Sequence, residues 1–364
     1  MPIATLTISN FRNIQEAELF TCPQGVNIIY GNNGSGKTSL LEALHYLGLG
    51  RSFRSSNSSR LITHDTEKFL LSTQIVRDNA LKLLLGAERD NKNNARMRLE
   101  GRDLTSVTEL ALLLPLRIIN SQSHNLFELG PLYRRKFIDW GLFYHEESFL
   151  PCWRQFERVL KQRNTALREK RSKRELECWT EEFIKCSLQL NQLRYDYVEA
   201  LKPKLNHFAQ QFLNVEAIGM TYEPGWNKKQ HLADLLENNY VDELRLGHTQ
   251  YGPHRADLAL AINECAVKYF FSRGQQKLLI CAMILAQGAL LQTLENKGLI
   301  YLIDDLPAEL DLKSRTSLVT TLAQQQTQIF ITAIEKEHIS SSLSKFEVPV
   351  KVFHVEHGKV EAKQ

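Results

Sequence analysis

The sequence predicts an α/β protein in which a head of sheets and helices is interrupted by an inserted helical arm. Three observations predict it. A short apolar strand, a glycine-rich loop and a helix follow one another near the N-terminus. An apolar strand that ends in two aspartates lies near the C-terminus, and a long stretch of helical periodicity separates these two features. We therefore expect one head built from both ends of the chain.

The N-terminal part of the chain carries most of the predicted strands. Leu6 and Ile8 alternate with polar residues ahead of the turn Asn10-Phe-Arg-Asn13, which is the pattern of a half-buried strand. An asparagine-rich turn at Asn91–Asn94 separates two further runs of this kind. Together with the run before them, they predict an antiparallel meander: Phe69–Val76, Ala80–Glu88 and Ala95–Leu99.

A complete phosphate-loop pattern lies between the apolar strand Val26–Tyr30 and a helix. A strand, loop and helix in this order direct backbone N–H groups at phosphate oxygens, whereas an ordinary glycine turn is the alternative. We expect Lys37 to reach the β- and γ-phosphates of ATP and Thr38 to ligate Mg²⁺. The pattern G-x-x-x-x-G-K-[ST] is matched at Gly31, Gly36, Lys37 and Thr38. The expected nucleotide ligands are Gly31, Asn32, Asn33, Gly34, Ser35, Gly36, Lys37, Thr38 and Ser39.

A second nucleotide element follows the apolar run Leu299–Ile303. Asp304 ends this predicted strand, so its carboxylate emerges at the carboxyl edge of the sheet, where ligands bind in α/β folds. We expect Asp304 to hold Mg²⁺ together with Thr38, and Asp305 to orient or deprotonate the attacking water. Lys37, Asp304 and Asp305 are therefore the candidate catalytic residues of an ATPase. A pair of aspartates that caps a turn is the alternative.

The segment Ser272-Arg-Gly-Gln-Gln-Lys277 predicts the start of a helix. Ser272 is a favourable N-cap, and Gly274 permits close approach of a ligand. A helix start of this kind binds anions. Because the chain has one complete phosphate loop, we interpret Ser272, Gly274 and Gln275 as the cap of a nucleotide that a partner copy holds in a head-to-tail homodimer. An ordinary capped helix is the alternative.

Helical periodicity begins near Tyr133 and predicts a long arm. An apolar seam at steps of three and four residues indicates one long helix, and Pro203 inside it is expected to produce a kink. A basic stretch separates this helix from an earlier one, which predicts two antiparallel helices with a charged tip. The predicted domains are an N-terminal head lobe (1–130), the helical arm (131–248) and a C-terminal head part (249–364). The seam consists of Leu190, Leu193, Tyr197, Leu201, Leu205, Phe208 and Phe212, and the basic stretch contains Lys161, Arg163, Arg168, Lys170, Arg171, Lys173 and Arg174.

The α/β pattern returns after the arm. A helix from Gln275 to Leu294 is almost wholly apolar on its inner side. Leu258–Ile262 is predicted to be a strand, and Gln328–Thr332 a buried one. Val350–Val355 is expected to be the last, edge strand of the sheet.

Composition limits the class of protein. The chain has 364 residues and a formal net charge of +4, which is too mild to prove a nucleic-acid partner by itself. Its six cysteines lack Cys-x-x-Cys spacing, so we expect neither a zinc site nor a disulfide framework. No apolar run approaches the length of a membrane span, and no signal peptide is recognisable. We therefore expect a cytoplasmic protein without a membrane partner.

A resemblance to known proteins extends over nearly the whole chain and includes seven segments: Asn10–Asn13, Gly31–Thr38, Arg51–Arg54, Tyr133–Asp139, Tyr251–Leu258, Ser272–Lys277 and Leu302–Asp311. Together they resemble the ABC-type ATPase heads of the SMC class, and among these the RecF family of bacterial recombination mediators. The arm is too short for a long-armed SMC protein, and its tip has no cysteine hook. Both features favour the RecF family.

The resemblance implies an ABC-type P-loop ATPase head with an inserted helical arm. It implies weak, DNA-stimulated ATP hydrolysis, with Mg²⁺, in a protein that dimerises on binding ATP. It further implies binding to double-stranded DNA, to gaps or junctions, and to single-stranded DNA. With RecR and RecO, such a protein helps load RecA and supports DNA repair, recombination, replication and the SOS response. The motif positions implied are Lys37 and Thr38 (Walker A), Asp304 and Asp305 (Walker B), and Ser272 with Gly274 (signature).

The resemblance also assigns roles to less regular positions. Gln122 falls near the Q-loop, where it would contact Mg²⁺ or water. Asp311 falls in the loop that touches the partner across the dimer, and Thr332 lies where transporters of the superfamily place a γ-phosphate-sensing histidine. Arg273 and Ala308 depart from the family pattern, because glutamine and serine respectively are common there.

Three basic clusters are candidates for contact with the DNA backbone: the serine-rich loop with Arg51, Arg54 and Arg60, the segment Arg134-Arg-Lys136, and the tip of the arm. Each is alternatively a solvated face. Arg54 could instead contact the nucleotide, and Arg134 with Arg135 could lock the arm to the head.

Two other functional classes stay open. A soluble ABC subunit of a membrane transporter is one, but the helical insert, the arginine clusters and the absence of a histidine at Thr332 argue against it. An ATP-gated toxin or anti-phage nuclease head is the other. Such proteins usually carry a separate nuclease domain, for which the chain leaves no room.

Overall fold

Strands dominate both ends of the chain, and long helices lie between them. A computed structural model describes residues 2–55, 57–77, 81–294, 298–305, 310–325, 327–343 and 347–363. The strands are β1 (Ile3–Phe11), β2 (Ile14–Phe20), β3 (Val26–Tyr30), β4 (Lys68–Val76), β5 (Lys82–Asp90), β6 (Ala95–Leu99), β7 (Arg102–Asp103), β8 (Leu116–Ile119), β9 (Gly219–Glu223), β10 (Asp257–Ile262), β11 (Cys265–Ala266), β12 (Ile300–Ile303), β13 (Gln328–Ala333), β14 (Val350–Glu356) and β15 (Lys359–Lys363). The helices are α1 (Lys37–Leu49), α2 (Val107–Leu113), α3 (Asn125–Glu128), α4 (Pro131–His145), α5 (Phe149–Arg168), α6 (Lys173–Leu213), α7 (Leu232–Asn238), α8 (Tyr240–Leu246), α9 (Val267–Phe270), α10 (Arg273–Leu291), α11 (Leu312–Gln324) and α12 (Glu337–Leu343).

The chain forms two compact units, and the first of them combines both ends of the sequence. Residues 1–123 and 291–364 form the first unit, and residues 124–290 form the second. The phosphate loop and the paired aspartates therefore lie in one unit. The second unit holds the helical arm together with β10 and α10, which the sequence assigned to the C-terminal head part. The three-part division at residues 130 and 248 stays a prediction.

A mostly parallel sheet forms the base of the first unit. Its order is β15-β14-β3-β13-β12-β8, and β13 pairs in parallel with β3 on one side and β12 on the other. Such strands are buried on both faces and therefore read as continuous apolar runs, which is why β3 and β13 were predictable. The prediction that Val350–Val355 is the edge strand is wrong, because β15 pairs outside β14. β15 is mostly exposed, so its sequence lacks the apolar run that marks a buried strand.

An antiparallel sheet of order β2-β1-β4-β5-β6-β7 completes the first unit. Its strands β4, β5 and β6 pair antiparallel, which confirms the predicted meander. Ala80, the predicted start of the middle strand, lies outside the described residues. One face of this sheet packs with α1 and the apolar side chains of the parallel sheet in a common core. This packing fixes α1, and with it the phosphate loop that precedes α1.

The second unit contains the arm, with α5 and α6 packed side by side. Ser172 and Glu175 form a capping box that starts α6, so the turn between the helices ends where the local sequence dictates. α6 continues past Pro203 to Leu213. The charged tip is only partly as expected, since Arg163 is 1% exposed and forms an ion pair with Glu243 at 2.7 Å.

Helix α10 is the longest apolar helix of the second unit. By length and composition it could cross a membrane, but 72% of its 18-residue window is buried within the structure. Its apolar side chains, such as Leu279, Met283 and Leu285, are fully buried. α10 is therefore a core helix of this unit.

Candidate active site

The phosphate loop joins β3 to α1, and hydrogen bonds to its backbone groups hold it in place. Gly31 N–H donates to the carbonyl oxygens of Ala333 and Ile334 at 3.3 and 3.2 Å. Lys37 Nζ donates to the carbonyl oxygens of Gly31 and Asn32 at 2.8 and 2.9 Å. The lysine side chain thus folds back over the loop, where its ammonium group lies beside the space that the loop encloses.

The loop needs glycine at positions where the backbone turns left-handed. Gly34 and Gly36 have φ angles of 78° and 123°, which residues with a Cβ rarely adopt. Gly36 directly precedes the first turn of α1, and its carbonyl accepts from Leu40 N–H at 3.1 Å. The N-terminus of α1, with its partial positive charge, therefore faces the loop.

Asp304 meets Thr38 at the carboxyl edge of the parallel sheet. Thr38 Oγ1 donates to Asp304 Oδ1 at 3.0 Å, and Thr332 Oγ1 donates to the same oxygen at 2.9 Å. This meeting follows from strand order, because β13, which carries Thr332, lies between β3 and β12. Thr38 lies at the start of the helix that follows β3, and Asp304 directly follows β12. Burial raises the pKa of Asp304, and the hydrogen bonds from Thr332 and Thr38 oppose that shift.

Asp305 follows in an unusual backbone conformation. Its φ angle is 54°, and its N–H donates to Thr332 Oγ1 at 2.7 Å. Burial also lowers the pKa of Lys37, against the opposing charges of Asp305 and Asp304. The carboxylate of Asp304 is partly buried, that of Asp305 is exposed, and the Lys37 ammonium group is buried. Two carboxylates and one ammonium group at one site form an arrangement suited to a polyanion and a cation.

These groups line one cleft of about 540 Å³. Of the residues that the sequence singled out as the nucleotide site, Asn33, Gly34, Gly36, Lys37, Thr38, Ser39, Asp304 and Asp305 line the cleft. Gly31, Asn32 and Ser35 belong to the same loop but are not among the residues that line the cleft. The hydroxyl of Thr38 and the carboxylate of Asp304 are hard oxygen ligands, so they fit Mg²⁺.

Arg54, for which the sequence left contact with the nucleotide open, and Thr332, at the position of the γ-phosphate-sensing histidine, also line the cleft. The sequence did not assign four further lining residues to it: Arg12, Asn13, Arg60 and Ser121. Asn13 is the most informative of them. Its amide Nδ2 donates to the carbonyl oxygens of Gly34 and Ser35 at 3.3 and 3.2 Å, and its Oδ1 accepts from Ser39 Oγ at 2.8 Å. The segment Asn10-Phe-Arg-Asn13 was visible as a motif, but no local pattern connects it to a loop twenty residues later.

One expected ligand of the first unit, Gln122, does not line the cleft. Gln122 is exposed, whereas its neighbour Ser121 does line the cleft. Ala308 lies outside the described residues. Asp311 caps α11, with Oδ1 accepting from Ser314 N–H at 2.9 Å.

The signature segment lies in the second unit, at the start of α10. Gln275 N–H donates to Ser272 Oγ at 3.3 Å, and Ser272 N–H donates to Gln275 Oε1 at 3.0 Å. This reciprocal pair is a capping box, so the prediction that Ser272 caps a helix is confirmed. Among the described residues, no atom lies within 4 Å of the point where a Cβ on Gly274 would stand. The backbone at Gly274 is therefore accessible.

The basic cluster at the start of the arm is engaged within the second unit. Arg134 forms two hydrogen bonds with the Asp257 carboxylate at 2.6 and 2.9 Å, and Arg135 donates to the Ala256 carbonyl at 2.7 Å. Both guanidinium groups thus tie α4 to the segment that begins β10. At the tip of the arm, Arg171 pairs with Glu169 at 2.7 Å.

The chain resembles known proteins over its whole length. The model of the family described as RecF/RecN/SMC N terminal domain matches residues 2–361. The chain is 42% identical over 360 residues to the DNA replication and repair protein RecF of Shewanella denitrificans, with 99% of both chains covered. It is 41% identical over 362 residues to the protein of the same name from Shewanella baltica, again with 99% of both covered.

Solved structures share this fold. One described as the recombination mediator protein RecF-ATP in the RecFOR pathway has a TM-score of 0.83 at 26% identity, and the match covers 100% of this chain and 98% of that one. An Smc head bound to the C-winged helix domain of ScpA has a TM-score of 0.62 at 13% identity, with 100% and 97% covered. The second likeness is one of fold alone.

Proposed function

The chain belongs to the RecF/RecN/SMC family, and within it to the RecF proteins of DNA replication and repair; on that premise we propose that it is an ATP-dependent DNA-binding protein of recombinational repair. The observation that carries the proposal is the 3.0 Å hydrogen bond between Thr38 and Asp304. It unites two motifs from opposite ends of the chain in one site. Relatives that match over the whole length are RecF proteins, so a transporter subunit is not favoured.

The residues of the cleft have distinct roles in ATP hydrolysis. The backbone N–H groups of residues 31–39 surround the phosphates, and Lys37 contacts the β- and γ-phosphates. Thr38 and Asp304 hold Mg²⁺, which neutralises charge on the transferring phosphoryl group when bound. Asp305 orients the attacking water or accepts its proton. Positioning and charge stabilisation dominate phosphoryl transfer, which agrees with the many hydrogen bonds that fix these groups.

ATP binding brings two copies of the chain together. The accessible Gly274 backbone and the capped start of α10 offer anion-binding N–H groups, and the segment Ser272–Gln275 caps the γ-phosphate held by the partner copy. Gln122 contributes near the metal only after a rearrangement, since it is exposed in the single chain. The dimer is thus the state in which the site is complete, and hydrolysis returns the protein to monomers.

The dimer binds the phosphate backbone of DNA. Exposed cations outside the nucleotide cleft support this: Arg51 of the serine-rich loop, and Arg168, Lys170 and Arg174 of the arm tip. The DNA partner is double-stranded, gapped or junction DNA, or single-stranded DNA. It stimulates an otherwise weak ATPase. The protein acts in the cytoplasm with RecR and RecO to load RecA.

DNA binding and dimer formation, measured together with ATP, ADP and a non-hydrolysable ATP analogue, test this function. We expect ATP or the analogue to drive both, and Lys37→Ala to abolish both. Lys68→Ala is the matched control, because Lys68 is an exposed lysine of the same unit that pairs with Glu88 at 3.4 Å.

DNA affinity should fall steeply with salt and depend little on sequence. A chain that stays monomeric with every nucleotide, or binds DNA with equal affinity with and without ATP, contradicts the gated dimer. Affinity that does not change with salt contradicts backbone recognition.

A further inference from the structure

One carboxylate lies fully buried beside the nucleotide cleft. Glu42 projects from α1, and its side chain is 0% exposed. Its oxygens accept from Arg12 Nε and from a terminal nitrogen of the same guanidinium, at 2.8 and 2.7 Å. A two-pronged contact of this kind fixes the orientation of an arginine as well as its position. Arg12 also donates to the Arg60 carbonyl at 2.8 Å.

The same carboxylate organises the loop that follows α1. Ser52 Oγ donates to Glu42 Oε1. That hydroxyl oxygen in turn accepts from the N–H groups of Arg54 and Ser55, each at 2.9 Å. The loop backbone is therefore folded around one hydroxyl group, and Glu42 holds that group against α1.

His45, one turn further along α1, holds the start of the loop. Its Nδ1 lies 2.8 Å from the Arg51 carbonyl oxygen, and its ring contacts Phe53 with centroids 5.3 Å apart. Burial lowers the pKa of His45 to about 4, so the ring is neutral at neutral pH. Because a carbonyl only accepts, Nδ1 carries the proton and donates it.

Arg54 is the cation that this arrangement presents to the cleft. One of its terminal nitrogens lies 4.0 Å from Glu42 Oε2, and its side chain is 49% exposed. It lines the same cleft as Asp304 and Asp305. Arg54 thus lies beside Glu42 on one side and lines the nucleotide cleft. A guanidinium in this position is suited to a phosphate oxygen.

We propose that Glu42 is a positioning residue for nucleotide binding: through Ser52 and Arg12 it fixes the loop so that Arg54 points at the terminal phosphate of ATP. The inference rests on the proposed function, since it places that phosphate beside Asp304 and Asp305. Glu42 contacts no nucleotide itself. It acts by reducing the number of orientations that Arg54 explores before ATP binds.

This arrangement predicts discrimination between ATP and ADP. Arg54 reaches the side of the cleft that only the γ-phosphate occupies, whereas Lys37 and the loop N–H groups contact phosphates that ADP also has. Glu42→Gln replaces one acceptor oxygen by an NH₂ donor that faces the Arg12 guanidinium, so the two-pronged contact is lost. Loss of a contact to a charged phosphate corresponds to about tenfold in affinity.

A double-mutant cycle between Glu42 and Arg54 tests the proposal. Dissociation constants for ADP and for a non-hydrolysable ATP analogue are measured for Glu42→Gln, Arg54→Ala and the double variant. We expect each single variant to weaken analogue binding about tenfold and ADP binding less than about twofold. In the Arg54→Ala background, Glu42→Gln should add less than about twofold, because its effect acts through Arg54.

Matched controls come from an exposed pair on the same unit, Arg102 and Glu109, whose side chains lie 3.5 Å apart. Arg102→Ala and Glu109→Gln should change neither affinity. Ser52→Ala is the second test variant, since it releases the loop but leaves the buried pair of Glu42 and Arg12 intact. It keeps the proposal testable if Glu42→Gln does not fold, and it should reduce analogue binding selectively.

Three outcomes overturn the inference. In the first, Glu42→Gln or Ser52→Ala weakens the binding of ADP and of the ATP analogue equally. In the second, both variants bind the two nucleotides as tightly as the wild type does. In the third, Glu42→Gln weakens analogue binding as much in the Arg54→Ala background as in the wild type. In all three cases the wild type still binds nucleotide, so the proposed function stands. A wild type that binds neither nucleotide overturns the proposed function as well.

Discussion

Replacing Thr332 by valine removes one hydroxyl group from the centre of the site and keeps the shape of the side chain. Thr332 is fully buried. Its hydroxyl donates to Asp304 Oδ1 at 2.9 Å and accepts from Asp305 N–H at 2.7 Å. The variant therefore takes one donor from a buried carboxylate and leaves one N–H group without its partner.

The size of the effect follows from these two contacts. A hydrogen bond to a charged group contributes roughly 1.5–3 kcal/mol, and an ordinary one such as that of the Asp305 N–H roughly 0.5–1.5 kcal/mol. Asp305 has a φ angle of 54°, so loss of its N–H bond also removes a restraint on a strained backbone. If the transition state of ATP hydrolysis loses about 2 kcal/mol of stabilisation more than the ground state does, kcat drops about thirtyfold. ADP affinity should stay nearly constant, because the contacts of Lys37 do not involve Thr332.

Steady-state ATP hydrolysis, ADP binding and thermal unfolding of Thr332→Val give the required numbers. Thr73→Val is the control, since Thr73 is also buried in the first unit and donates to the Thr5 carbonyl at 2.7 Å. Thr73→Val should lose about 1 kcal/mol of stability and Thr332→Val about 2 kcal/mol, but only Thr332→Val should lose hydrolysis. Unchanged kcat in Thr332→Val, or an equal loss in both variants, would refute the reasoning.

Three further perturbations have defined outcomes. In Gly358→Ala the new Cβ would lie 2.0 Å from the carbonyl oxygen of Asn13, the residue that supports the phosphate loop. Because this clash displaces Asn13, the affinities for ATP and ADP should both weaken by about tenfold in equilibrium titrations. Burial holds the pKa of His45 at about 4, so the unfolded chain binds the extra proton first as pH falls below about 6.5. The contribution of His45 to the free energy of unfolding should therefore drop by about 2 kcal/mol between pH 7 and pH 5. The variant His45→Gln should lose less stability over this pH range than the wild type. Arg163→Met leaves Glu243 buried without its ion-pair partner and should destabilise the second unit by about 3–5 kcal/mol in urea unfolding.

Each of these has its own control. Gly101→Ala places a Cβ at a φ angle of 78° with no described atom within 4 Å, so it should reduce stability without changing nucleotide affinity. For His45, equal pH dependence in wild type and His45→Gln would show that another group is responsible. For Arg163, the double variant Arg163→Met/Glu243→Gln should recover much of the lost stability, and a double variant as unstable as the single one contradicts the ion-pair explanation.

Local patterns were sufficient for the elements that are buried on both faces or capped by their own residues. β3 is fully apolar apart from Asn27, and it starts and ends as predicted. Ser272 begins α10 through a hydrogen bond to a residue three positions later. The family and the ATPase-head fold were also recognisable, because the motifs that define them are short and contiguous; the relatives and solved structures confirm both.

Local patterns failed where a residue's role depends on a distant partner. Arg163 belongs to a run of basic residues, yet it is buried because Glu243 reaches it from α8. Arg134 has the same sequence signal as a DNA-binding arginine, but the Asp257 carboxylate accepts two hydrogen bonds from its guanidinium group. Nothing within a few positions of either arginine distinguishes it from an exposed one, since opposite charges far apart in sequence decide which cation is buried.

The sequence by itself determined which chemical groups this protein has: a phosphate loop, a strand that ends in two carboxylates, and a capped helix start. Such features depend on contacts between neighbours in the chain. Only the tertiary structure decided that β13 lies between β3, which leads into the phosphate loop and Thr38, and β12, which Asp304 follows. It also decided that Asn13 supports the phosphate loop and that Glu42 holds the loop of Arg54. These depend on strand order and on the burial of charges, which arise from packing between segments that the chain order does not bring together.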